Sequence, residues 1–402
     1  MRKLVYLYHI VKALIFRAII FIPFECFGYL NVRSAASKSR TKRLAFQAYN
    51  PQTAQVFLPI IDEFRKHAEI EIWFVVMFHP YHGARGLTQT RAFAINELGI
   101  KKDNVLFIWE SFWCKFDALV CSDVYAKFPI RKTNKIIIPH GAGLLSRWVK
   151  KNPLRKTVSD FDAYLICGEF DHKLAQDRVN GKTKLYRVGF PFVDVLFNDS
   201  SANKSPDRAI SKKEKKTVLY APSWGHTYHY GDILSRNIEA VMECLREKEV
   251  SILLKLHNAS FIPAQARGIV WQKRIQRYLA WGSVQIIHEL NDIPSFKTAD
   301  ILITDISSRS LNFMITDKPV VIYGVPDSFS ETDIENIRIN KIYEGGYRAK
   351  DPFELAQVVG RCLEHAEEMS PQRRKVVAEV FSNPGCAASE MVQCIAQELE
   401  NS

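Results

Sequence analysis

The chain has 402 residues, 47% of them hydrophobic, and a formal charge of +12. This composition excludes a disordered protein and allows two packed domains. The charge excess is concentrated at one end, where nine basic residues oppose only Glu25 in the first 43 positions. A basic end carrying apolar residues points to an anionic membrane surface. Nucleic acid is not indicated, because its binders interleave basic and aromatic residues across a domain.

Residues 1–40 read as an amphipathic, membrane-associating segment. Lys12, Arg17, Pro23 and Glu25 interrupt the apolar stretch from Leu4 to Leu30, so no run reaches the ~20 residues of a spanning helix. On a helical wheel Leu4, Leu7, Val11, Leu14, Ile15, Ala18 and Ile22 gather on one side, with Arg2, Lys3, Lys12 and Arg17 elsewhere. The pattern predicts a helix lying in the interface, and a peripheral protein on the cytoplasmic face of the membrane. An ordinary helix packed on the protein is the plainer alternative, and a cleaved signal peptide fits poorly.

From Leu44 the pattern alternates. Short apolar runs at Leu44 to Ala48, Ile70 to Phe78, Val105 to Ile108, Asp117 to Cys121, Lys135 to Ile138, Ala163 to Cys167 and Leu185 to Val188 predict strands. Thr53 to Lys66 and Leu87 to Glu97 have helical spacing. Such a series predicts a doubly wound parallel sheet, α/β in class, over residues 41–198. Residues 199–216 are Ser, Asn, Lys and Asp with almost no apolar residues, and form the expected linker.

A second α/β series fills residues 217–402. Strands are expected at Val218 to Tyr220, Ile252 to Leu256 and Val284 to Ile287, with helices at Ile233 to Arg246, Ile269 to Leu279, Glu354 to His365 and Ala387 to Leu399. Within this half, Ile301 to Ile303 predicts a strand, Thr304 to Ser308 a polar turn, Arg309 to Ile315 a helix, and Val320 a further strand. Such a turn lies at the carboxyl end of a parallel strand, where open α/β sheets bind ligands beside a helix N-terminus. Asp and Ser also cap helices that bind nothing.

Four polar loops follow strands in this way: Pro139-His140-Gly141-Ala142-Gly143, Ala221-Pro222-Ser223-Trp224, His257-Asn258 and Asp305-Ile306-Ser307-Ser308. In this order, together with Leu254-Lys255-Leu256-His257, Asn291-Asp292-Ile293 and Lys318-Pro319-Val320, they resemble the CDP-glycerol glycerophosphotransferases of teichoic acid synthesis, of the primase and polymerase type. The resemblance covers roughly His140 to Tyr323. It implies the two-Rossmann-domain GT-B architecture, with an acceptor-binding first domain and a donor-binding second. Ala142, Asn258, Ile306 and Asn312 depart from the residues the family usually has there (Thr, Pro, Tyr and Asp).

The resemblance implies attack of an acceptor hydroxyl on the glycerol-bearing phosphorus of CDP-glycerol, expelling CMP. The acceptor would be lipid-linked or polymeric, as in a teichoic or capsular polymer. That chemistry needs a base, and donors for the charge gathering on phosphoryl oxygens. His140 is the expected base, in a loop that Gly141 opens to substrate. His257 is expected to donate to a phosphate oxygen or the departing CMP, Ser307 and Ser308 to cradle the donor phosphates, and Ser223 and Trp224 to contact the nucleotide. Asp305 is expected to orient His257 or to cap the helix.

Other signals are weaker. Asp160 and Asp162 have the D-x-D spacing of metal-dependent glycosyltransferases, but Asp162 introduces a strand and reads as a boundary acid. His79, Tyr81, His82 and Gly83, and likewise His226, Tyr228 and His229, sit in loops that could face an acceptor. No three ligands have metal spacing, so neither metal nor cofactor is assigned, and the role of a divalent cation stays open. Eight cysteines contain no C-x-x-C pair, and most read as reduced core residues in a cytosolic compartment. Two rivals stand beside the transferase: a GT-B glycosyltransferase using a nucleotide sugar, and a non-catalytic nucleotide-binding scaffold at the membrane.

Overall fold

A computed structural model describes residues 41–66, 70–79, 82–112, 114–129, 131–143, 156–202, 215–223, 233–262, 266, 268–325 and 334–400. The basic 1–40 segment, most of the expected linker, Tyr81, Trp224, His226, Tyr228 and His229 lie outside the described residues.

The alternation resolves into two sheets whose neighbouring strands all run parallel. The first contains β1 (Lys42–Ala48), β2 (Ile70–Val76), β3 (Val105–Phe107), β4 (Ala118–Cys121), β5 (Asn134–Ile137), β6 (Ala163–Ile166) and β7 (Lys184–Arg187), in the order β3-β2-β1-β4-β5-β6-β7. The second contains β8 (Thr217–Tyr220), β9 (Ser251–Leu254), β10 (Val284–Ile286), β11 (Ile301–Thr304), β12 (Val320–Tyr323) and β13 (Tyr347–Ala349), in the order β10-β9-β8-β11-β12-β13. Both are doubly wound, so the strand order reverses between β1 and β4 and again between β8 and β11. Ligands bind outside the strand ends at such reversals.

Burial explains the sequence pattern. Every residue of β4, β6, β11 and β12 is buried, because helices cover both sheet faces, and the strands read as unbroken apolar runs. The edge strand β7 is exposed at both ends. One continuous core joins the halves, running from Phe46 and Phe57 through Ile138 and Ala142 to Ile306, Leu311 and Phe313.

Some elements differ from expectation. The helix expected from Thr53 to Lys66 is three pieces: Pro51–Ala54, a 3-10 turn Gln55–Phe57, and Leu58–Phe64. Pro59 has no N–H to give the carbonyl of Gln55, and that carbonyl accepts from Leu58 instead. The expected helix at 269–279 stops at Gln276 and tightens to a 3-10 turn ended by Gly282, at φ +69°. The helices Glu169–Gln176, Ile334–Gly345 and Ser370–Val380 and the strand β13 add to the elements expected from the pattern.

The final helix, Ala387–Glu400, leaves the second sheet and packs on the first. Its buried Glu398 accepts from Asn134 at 2.9 Å, Lys184 at 2.7 Å and Tyr186 at 2.5 Å. A carboxylate so deeply buried persists only when its lone pairs are used, and these three donors on β5 and β7 satisfy it.

Candidate functional site

A cleft with a volume of about 150 Å³ lies between the carboxyl ends of the two sheets. His140, Ser223, His257, Ser307 and Ser308 all line it. They come from loops after β5, β8, β9 and β11, and Gln52 and Gln55 join them from the turn after β1, so both strand-order reversals open toward the same space.

The two histidines hold their protons on opposite ring nitrogens. Nδ1 of His140 lies 2.6 Å from the carbonyl oxygen of Ser122. A carbonyl only accepts, so Nδ1 donates, and in the neutral ring the basic lone pair is on Nε2. Nδ1 of His257 instead accepts the backbone N–H of Ala259 at 3.1 Å, which puts the proton on Nε2. One ring carries its lone pair on Nε2 and the other its N–H.

Asp123, which sequence reasoning passed over, stands behind His140. Its carboxylate lies 3.6 Å from Nδ1 and accepts from the Tyr49 hydroxyl and the Tyr125 N–H, both at 3.2 Å. It follows the apolar β4, so the rule that singled out His140 and Asp305, a polar residue just past a buried strand, would have found it too. His79 and His82 pack around Tyr49, with His79 stacked on it at 4.5 Å. They do not line the cleft. Burial, helped by His82, lowers the His79 pKa to about 4, and burial lowers that of His82.

Asp305 corrects an expectation. It neither orients His257 nor caps the following helix. Its buried carboxylate accepts the N–H of Ser223 at 2.9 Å and also the Ser223 hydroxyl, tying β8 to β11 across the strand-order reversal. The reason is register: Tyr220 pairs with Ile303, so the loops after both strands leave side by side. Burial raises the Asp305 carboxyl, against the Ser223 hydrogen bonds and the charges of Arg309 and Arg338. The helix Ser308–Met314 is capped by Ser307, whose hydroxyl accepts from Arg309 N at 3.3 Å.

Gly141 is buried and does not line the cleft. Gly143 is the glycine that packing requires. Its φ is +71°, and a Cβ there would meet Arg338 Cδ at 2.7 Å. Gly143 also donates its N–H to the buried Asp171 at 3.2 Å.

Two guanidinium groups in the cleft were also missed. Arg309 pairs with Asp292 at 3.0 Å, and Arg338 donates to the carbonyl of Ile306 at 3.0 Å. Burial pushes the Asp292 carboxyl up, but Arg309 and Lys255 together hold it below its ordinary value. Arg309 had a visible signal, a charge directly after two serines at the start of a helix that continues with Leu311, Phe313 and Met314. Asp160 and Asp162 are structural: they accept from Thr157 N at 2.6 Å and Lys135 N at 2.8 Å. Among the described residues no cluster of three metal-ligating side chains occurs.

The sequence pattern of the CDP-glycerol:poly(glycerophosphate) glycerophosphotransferase family matches residues 145–396. The chain belongs to that family. The match contains Ser223, His257, Asp305, Ser307 and Ser308, and begins just after His140. A teichoic acid poly(glycerol phosphate) polymerase of Bacillus spizizenii is 24% identical over 208 residues, half of each chain. The ribitol-phosphate polymerase TarL of Staphylococcus aureus is 24% identical over 198 residues, 47% of this chain and 32% of TarL. The chain spans half or less of the length of the curated relatives it matches. The solved wall teichoic acid polymerase TagF aligns over 98% of this chain and 97% of its own, with a TM-score of 0.58 and 16% identity, which establishes a shared GT-B-like fold. TagF has also been solved after soaking with CDPG.

Proposed function

We propose that this protein transfers glycerol phosphate from CDP-glycerol to a hydroxyl of a lipid-linked or polymeric acceptor, releasing CMP. The observation that carries this reading is the pair of histidines lining one cleft with opposite proton placement. The acceptor oxygen attacks the glycerol-bearing phosphorus, and its proton passes to Nε2 of His140. As the bond from phosphorus to the CMP oxygen breaks, His257 donates from Nε2 to the oxygen that gathers charge. Arg309, Arg338, Ser307 and Ser308 supply cationic and hydroxyl contacts to the phosphates.

Family membership and the CDPG-soaked TagF support a CDP-linked donor. In this reading Ser223 and Trp224 contact the nucleotide. The first half, 41–198, holds the acceptor, the second, from 217 onward, holds the donor, and the basic residues of 1–40 hold the enzyme at an anionic membrane surface. Among the described residues no helix is long and apolar enough to cross a membrane.

The test is to incubate the purified chain with a panel of CDP-alcohols and nucleotide sugars and follow the products. CMP and a phosphodiester are expected from CDP-glycerol. A nucleoside diphosphate and a glycosidic bond would instead support a sugar transferase. Donor binding without turnover would support the scaffold.

A further inference from the structure

The two walls of the cleft differ in charge. The second-half wall carries Arg309, Arg338 and Asp292, whereas among the described residues the first-half wall, apart from His140, presents only Gln52, Gln55, Val56, Phe190 and Phe192. Neither glutamine amide is hydrogen-bonded to another described residue. Each has donors and an acceptor to offer a ligand.

These amides are held in register with the proposed base. Asn50 caps the turn that carries Gln52, accepting from Thr53 N at 2.8 Å. The Ser122 hydroxyl donates to the Thr53 carbonyl at 2.8 Å, while the Ser122 carbonyl accepts from His140 at 2.6 Å. A single residue past β4 therefore fixes both the glutamine-bearing turn and the histidine. The break forced by Pro59 keeps Gln55 in a 3-10 turn next to Gln52. The rings of Phe190 and Phe192, 6.1 Å apart, supply an apolar surface beside the amides.

We infer that Gln52 and Gln55, flanked by Phe190 and Phe192, form an acceptor subsite for an uncharged, hydroxyl-bearing end group. Amides pair with hydroxyls as both donor and acceptor, and aromatic faces pack on the C–H surface of a polyol. An anionic end group finds no Lys or Arg among the described residues of this wall and is drawn to the guanidinium groups opposite, where it competes with the donor. The subsite presents one hydroxyl to Nε2 of His140. This inference rests on the transferase reading for the reaction, but the binding it asserts is measurable without turnover.

The experiment uses the full chain, with glycerol as the uncharged probe and glycerol 3-phosphate as the anionic one. In saturation-transfer NMR with CMP present, glycerol should receive magnetisation from the wild-type protein and lose most of it in Gln52→Ala/Gln55→Ala. Glycerol 3-phosphate should compete with CDP-glycerol, and do so equally in both proteins. In turnover assays the double variant should raise the KM for glycerol about tenfold or more, as expected for two lost hydrogen bonds, with the KM for CDP-glycerol within twofold. Unchanged glycerol transfer in the NMR experiment, or a rise in donor KM in place of acceptor KM, overturns the subsite. Glycerol contact that depends on both glutamines, without CMP release from any CDP-alcohol, leaves the subsite standing and overturns the transferase reading.

Discussion

The carboxylate of Asp123 lies 3.6 Å from Nδ1 of His140, on the side of the ring that also faces the Ser122 carbonyl. A carboxylate there stabilises the positive charge that develops when Nε2 takes a proton, while the hydrogen bond to the Ser122 carbonyl fixes the tautomer that leaves the lone pair on Nε2.

Asp123→Asn should therefore lower kcat by roughly 10-fold or more, with donor KM little changed. The groups facing Asp123 are His140, Tyr49, Tyr125 and Cys121. The substitution removes the negative charge beside the ring but leaves the hydrogen bond from Nδ1 to the Ser122 carbonyl in place. Steady-state kinetics of both proteins with varied CDP-glycerol checks the split between kcat and KM. An unchanged kcat, or a loss carried by donor KM, would contradict it. His140→Ala should remove transfer almost entirely, since a positioned base contributes roughly 10²–10⁴-fold.

His257 and Ser308 should separate kinetically. His257→Ala removes a donor aimed at charge that grows in the transition state, and should slow CMP release by roughly 10²–10³-fold. Ser308→Ala should act mainly on donor KM, because its hydroxyl is not the helix cap. Ser307→Ala should in addition lose about 1 kcal/mol of stability with the cap. Steady-state kinetics with varied CDP-glycerol checks the division, and equal losses of kcat in His257→Ala and Ser308→Ala would sink it.

Asp171 gives a stability prediction. Burial raises its carboxyl to about 6, against the lowering effects of the Gly143 N–H and Arg338. A folded pKa above the unfolded value means that the native state binds the proton more tightly. Its contribution to stability is then full below pH ~4 and is lost as pH rises through the folded value. Asp171→Asn should remove that loss and make the protein more stable than wild type at pH ~7.5, by on the order of 2 kcal/mol, with little difference near pH ~4. Urea unfolding of both proteins at the two pH values tests it, and a variant less stable than wild type at the higher pH would refute the assignment.

By itself the sequence determined that this is a two-sheet α/β protein, because strands buried on both faces must be apolar throughout, as at β4, β11 and β12. It also determined the loops, since polar residues just past such strands can only lie at a sheet edge, and five of the eight anticipated site residues line one cleft. Tertiary structure alone decided what each polar atom faces. Asp305 meets Ser223 because the registers of β8 and β11 set their loops side by side. Gly143, more than Gly141, is constrained because Arg338 arrives from a helix nearly 200 residues later in the chain. Asp123 acquires its place behind His140 only when β4 and β5 pair. Local pattern records which residues are buried or exposed, but the partner of a buried charge is chosen by packing between segments distant in sequence.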